Sequence, residues 1–190
     1  MANISTVFDQ KNIFQGPAVV KLDASTISGG SPSEIGGVAE VSLDVGLEIL
    51  QVEQGFPRTL MAQFVKRKTV KVSFKSLETG DYSLWRYALA AATYSTTGTG
   101  GFIHNVDFGE QNTMTACRIQ LIIINCDGFT EEMNLWKCMG GSEGIKRDFA
   151  DEDVHGPTYT FNVLRCTQDW WGSALATSKA FFHAQVDKQL

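Results

Sequence analysis

GGVAEVSLDVGLEILQVEQGFPRTLMAQFVKRKTVKVSFKSLETGDYSLWRYALAAA, residues 36–92, decides the fold. At its start Ala39, Val41, Leu43 and Val45 alternate without error with Glu40, Ser42 and Asp44. Side chains alternate faces along a strand, so this pattern describes a sheet packed on a core on one side and wet on the other. Gly46 permits a kink; Leu47-Glu-Ile49 keeps the phase, and Leu50 and Val52 shift it by one residue. Such a slip marks a bulge or a strand leaving its sheet.

Gln54-Gly55-Phe56-Pro57 separates two β-prone runs and reads as the tip of a long hairpin. Thr59–Val65 (TLMAQFV) makes the return, Lys66-Arg67-Lys68 follows, and Val70-Lys-Val-Ser-Phe-Lys-Ser76 alternates as cleanly as the first strand. Asp81 suits a helix N-cap, and Leu84, Trp85, Ala88, Leu89 and Ala92 recur at helical spacing, which predicts a helix over about 79–92.

Working outward, further strands are expected at Ala18–Asp23, Ala116–Asn125, Met133–Met139 and Tyr159–Cys166. Ser25–Glu34, Tyr94–Gly101, Met139–Gly144 and Ala150–Pro157 read as loops from their glycine, proline and polar content. The expected class is mainly β (α+β): a β-sandwich or rolled antiparallel sheet with one flanking helix and a hairpin excursion over about 47–66. Residues 1–169 form its single domain, residues 1–16 an N-terminal arm, and residues 170–190 a tail with a helix through Ala174–Val186.

At 43% hydrophobic and 19% charged, the 190 residues hold enough apolar mass for a core, which excludes global disorder. The longest apolar run, Leu121–Ile124, falls far short of a bilayer span, and MANISTVFDQKN has no basic region followed by an apolar stretch. A soluble protein without stable membrane association is expected. The net charge of −5 disfavours a nucleic-acid-binding module, although DNA sliding past without sticking is compatible with it. Cys117, Cys126, Cys138 and Cys166 contain no C-x-x-C pair and read as buried free thiols.

Patterns that would carry chemistry are missing. TGTGG (Thr97–Gly101) and GGSEG (Gly140–Gly144) do not end in the Gly-Lys-Ser/Thr of a phosphate loop. Asp148, Asp151, Glu152, Asp153 and His155 lack EF-hand spacing and read as a solvated acidic loop. His104, His155 and His183 stand far apart, and no G-x-S-x-G elbow occurs. No enzyme, cofactor or metal is expected, although a triad assembled in space stays open. Trp170 and Trp171 face opposite sides if extended, so at least one suits an interface.

In sequence, then, come the GGV-led strand Gly36–Val45, the excursion Leu47–Val65 with its Gly-x-Pro tip, the V-K-V-S-F strand and the helix start L-E-T-G-D-Y-S-L-W-R-Y-A-L (Leu77–Leu89). Together they resemble the tail tube proteins of long-tailed bacteriophages, which are similar to type VI secretion tube proteins. The resemblance implies a virion structural protein, assembled in the host cytoplasm. Its hexameric rings stack into a hollow tube through which DNA passes transiently, and its partners are tape-measure, tail-tip or baseplate, and terminator proteins. A non-polymerising ring component (tail terminator) or a secretion-tube subunit is the alternative, and a β-sandwich ligand-binding module or enzyme a further one.

Carried onto this chain, the resemblance makes Glu40, Ser42, Asp44, Lys71, Ser73 and Lys75 candidates for the lumen wall, commonly electronegative in that family. It assigns inter-subunit or inter-ring contact to Leu50, Val52, Gln54, Gly55, Phe56, Pro57, Arg58, Leu60, Met61 and Phe64. Lys71 and Lys75 put positive charge on that wall. Either Glu40 and Asp44 neutralise them across the strands, or the second strand turns its polar face elsewhere.

Overall fold

The two alternating segments form a single long hairpin in the computed structural model, which describes residues 18–23, 33–56, 58–77, 84–89, 92–98, 100, 103–109, 114–124, 130–147, 156–169 and 172–187. Its strands are β3 (Val38–Gln54) and β4 (Thr59–Ser76), paired antiparallel from Val38–Ser76 out to Gln54–Thr59. Preceding them are β1 (Ala18–Asp23) and the two-residue β2 (Ser33–Glu34). After them come a helical turn, α1 (Trp85–Ala88), and the strands β5 (Ala92–Thr97), β6 (Ile103–Phe108), β7 (Cys117–Ile124), β8 (Thr130–Lys146), β9 (Thr158–Val163) and β10 (Phe182–Asp187).

The main sheet is antiparallel throughout, in the order β2-β1-β7-β8-β9-β4-β3. β8 is long enough to change partners along one edge: β10 pairs with its first half and β9 with its second. That exchange lets the sheet roll, so that strands far apart in the order line one core. Val20 and Leu22 of β1 share it with Val70, Val72 and Phe74 of β4, Ile119 and Leu121 of β7, Leu135 of β8, and Tyr159, Phe161 and Val163 of β9. Phe74 packs on both aromatic neighbours across the β4–β9 ladder, with ring centroids 5.6 Å from Tyr159 and 5.9 Å from Phe161. Such contacts add directional preference to the area they bury.

The mainly β architecture with a sandwich-like rolled sheet and one short helix agrees with the sequence reading; several details do not. The helix expected over about 79–92 is a single turn, Trp85–Ala88, and residues 78–83, including Asp81, lie outside the described ones. Leu89 is already extended (φ −109°, ψ 139°), and Ala92 opens β5. Thr93, Tyr94, Thr96 and Thr97 are β-prone, and pairing with β6 prevails over the alanine-rich helical pattern.

The tail helix through Ala174–Val186 is likewise corrected. A 3-10 turn at Thr177–Lys179 leads into β10, which occupies the edge of β8 that β9 leaves free. An open edge offers unpaired backbone groups, and Phe181 and Phe182 pack against the core as they satisfy it. Residues 182–187 therefore belong to the main sheet rather than to a separate tail. Met139–Gly144, expected as a loop, lies within β8 as an irregularity between Gly140 and Ile145.

Cys117 and Cys138 are buried, free and opposite each other in register, and Cys166 is free and half-buried; Cys126 lies outside the described residues. Burial pushes both facing thiols well above the ordinary range. The unfolded chain loses these protons near pH ~8.5 while the folded one keeps them, so stability falls as pH rises beyond that point. Urea titrations at stepped pH should show a decline of up to about 1.4 kcal/mol per pH unit for each thiol, flattened in C117A/C138A.

α1 rests on β8 where Gly140 leaves room, because a Cβ there would collide with the Ala88 carbonyl. Gly140→Ala should destabilise by about 1–3 kcal/mol, as overpacking does. Gly109→Ala, whose Cβ meets nothing within 4 Å, should stay within about 0.5 kcal/mol of wild type in the same urea unfolding assay.

Candidate assembly surface

β9 covers β4 only from Val70 to Lys75, where the ladder runs from Val70–Val163 to Lys75–Thr158. Beyond Val70 the β3–β4 hairpin leaves the body as a two-stranded arm. The residues of β3 from Gly46 to Gln54, at roughly 3.3 Å each, carry its tip ~30 Å outward. Gly55 turns the tip with φ 94°, a conformation that favours glycine. The slip expected in β3 after Ile49 is not there. The irregularities between Glu48 and Ile49 and between Val52 and Glu53 put their extra residues, Lys66 and Met61, on β4, and Ile49 and Leu50 simply face opposite sides of the arm.

The arm is apolar and uncovered. Val45, Leu47, Ile49, Leu50, Val52, Leu60, Met61, Phe64 and Val65 are all exposed, and Phe56 at the tip is fully so. Leu50 faces Phe64 and Val52 faces Ala62, which makes one stripe; Ile49 and Val65 pair on the opposite side. Every residue assigned to hairpin contact sits on this arm, with Pro57 outside the described residues. Val45, Leu47, Ile49 and Val65 make the arm's other face apolar as well, although the sequence reading did not single them out for contact. An isolated two-stranded ribbon is marginal in water, and contiguous exposed apolar surface marks an interaction site. Among the described residues no strand pairs with the outer edge of β3, which ends the strand order.

The six wall candidates gather on one face, opposite the core. The Ser42 and Ser73 hydroxyls lie 2.7 Å apart, and Lys75 Nζ is 4.0 Å from Glu40 Oε1. Asp44 stands across from Lys71 in register, yet Lys71 Nζ donates to Glu143 Oε1 at 3.1 Å. Of the two cross-strand pairings considered for the lysines, the one with Glu40 is present, and Glu143 takes the place of Asp44. Thr158 and Asn162 continue the face on β9, opposite Lys75 and Lys71. A bulge between Ala39 and Ser42, with Glu40 in the left-handed region (φ 52°), sets where this face begins.

Glu143 was missed because it lies in a stretch read as a loop, though an acid between Gly141 and Gly144 was the available signal. The β5–β6 ribbon, a separate two-stranded sheet with Phe108 exposed, was missed for the reason given above. Trp170 and Trp171 lie outside the described residues, as does the acidic stretch 148–155.

Features that support chemistry are few. No group of three or more His, Cys, Asp or Glu suited to a metal occurs among the described residues, and no helix among them is long and apolar enough to cross a membrane. A cavity of about 610 Å³ is lined by Met114, Arg118, Trp136, Met139, Cys166 and Asp169, among others. Arg118 is buried, and its Nη1 finds no acceptor among the described residues. Trp136 closes one side by donating Nε1–H to the Lys179 carbonyl at 2.9 Å.

No family model matches this chain, and no curated protein sequence matches it.

Because the arm's side chains are already wet, L50S/F64S should leave the urea midpoint of the body within about 0.5 kcal/mol per site of wild type. The same change should lower binding of a hydrophobic dye such as ANS, which reports the exposed stripe.

Proposed function

We propose that this chain is a structural subunit of a bacteriophage tail tube, assembling as stacked hexameric rings around a channel for DNA. The observation that carries the reading is the arm: a folded domain that extends uncovered apolar residues on a two-stranded projection is built for a partner. Burying one such side chain is worth about 1.5–3 kcal/mol, so several together offset the cost of association. An arm docking on a different patch of the next copy makes a heterologous contact, and repeated heterologous contacts close into rings or propagate as filaments.

The polar face supplies a second surface, a wall with opposite charges at close range. The resemblance over Gly36–Leu89 is what directs this reading to a tail tube. In this reading the subunit works without cofactor or enzymatic activity, in a virion tail assembled in the host cytoplasm. Tape-measure, tail-tip or baseplate, and terminator proteins are its neighbours.

A second reading, a ligand-binding module, draws on the Arg118 cavity. A large thermal shift with one small anion would favour it.

Negative-stain microscopy of the purified protein tests the first reading, with hexameric rings and filaments expected. Single rings of fixed thickness would point to a terminator. A strictly monomeric protein at high concentration, with tail initiators supplied, would overturn the tube. Deleting Gln51–Arg58 should abolish stacking while the circular dichroism of the body persists; retained polymerisation would remove the arm from that role.

A further inference from the structure

The polar face poses an electrostatic problem, because a row of lysines facing a passing polyanion should hold it. Each phosphate–lysine contact releases counterions, and binding strengthens with every one. Lys71 and Lys75 occupy the middle of this face, and Lys146 closes the row opposite Thr158. Among the described residues, three carboxylates, those of Glu40, Asp44 and Glu143, share the surface and balance these three lysines.

The route by which Glu143 arrives is specific. Between Gly140 and Ile145, β8 advances five residues while β9 advances two, from Phe161 back to Tyr159. The extra residues leave the ladder there. Glycine permits this excursion: Gly144 has φ 60°, and a Cβ on Gly141 would lie 3.2 Å from Thr160. The bulge carries Glu143 across β9 to Lys71, which lies on the strand beyond. Stability does not account for the device, since an ion pair this exposed contributes about 0–1 kcal/mol and the bulge forgoes ladder hydrogen bonds.

We propose that Glu143 and Glu40 mask Lys71 and Lys75, so that a polyanion passing this face meets neither of these two ammonium groups uncovered. The setting rests on the tube reading, but the masking is a property of the subunit surface and can be tested without assembly. Nearby carboxylates lower the local potential that phosphate oxygens experience, and phosphate must displace a carboxylate before it gains a contact. Duplex DNA therefore slides rather than binds.

The test is duplex-DNA binding by fluorescence anisotropy from about 50 to 200 mM salt. In E40Q/E143Q the slope of log affinity against log salt should steepen relative to wild type by about 0.9 for each released lysine. The added slope should vanish in E40Q/E143Q/K71Q/K75Q. Glu143→Gln alone, on an exposed bulge, gives half the effect even if Glu40→Gln disturbs the strand. An unchanged slope in the glutamine variants overturns the masking, as does an added slope that survives loss of both lysines. Masking without rings in the micrographs would sink the tube reading alone, and rings without masking would sink this inference alone.

Discussion

Everything in this molecule depends on where the ladder between β4 and β9 stops. Its six registered pairs, Val70–Val163 to Lys75–Thr158, bring Phe74 between Tyr159 and Phe161 and thereby fix the centre of the core. Strand alternation then places Lys71, Ser73 and Lys75 on the other side, so one ladder defines the apolar interior and the polar wall together. Since β9 ends at Val163, β4 continues past Val70 with β3 alone beside it among the described residues. The arm is the uncovered remainder of a strand longer than its neighbour.

The parts legible in the sequence are those where local pattern and tertiary environment agree. Clean alternation at Ala39–Val45 and Val70–Ser76, and the apolar phase of Tyr159, Phe161 and Val163, gave the strands, their faces and the hairpin. The phase change after Ile49 reflects an arm that is apolar on both faces, not a slip of β3. Illegible parts are those where a partner distant in sequence decides. Ala174–Val186 carries no signal that the upper edge of β8 is vacant, and the alanines near residue 90 do not reveal that β6 competes for the following residues. The wall was readable to the level of its strands, yet Glu143 was not, because contact between β8 and β4 is made over an intervening strand.

Glycine plays opposed roles along β8. Gly140 admits the backbone of α1 into close contact, which rigidifies the body. Immediately afterwards, Gly141 and Gly144 let the chain leave the ladder and return, placing a carboxylate above the sheet. Packing and surface electrostatics are thus set within five residues, each by the absence of a side chain.

The charged residues at the root of the arm also limit how it can go wrong. Lys66 donates to Glu48 at 2.6 Å, with Arg67 and Lys68 alongside, next to the apolar stripe. Two arms stacking edge to edge in an arbitrary register would have to bring like charges together or strip these groups of water. Such gatekeepers penalise amyloid-like stacking more than docking into a shaped site. The chain can therefore carry an exposed apolar projection, because its charges make indiscriminate stacking the costlier outcome.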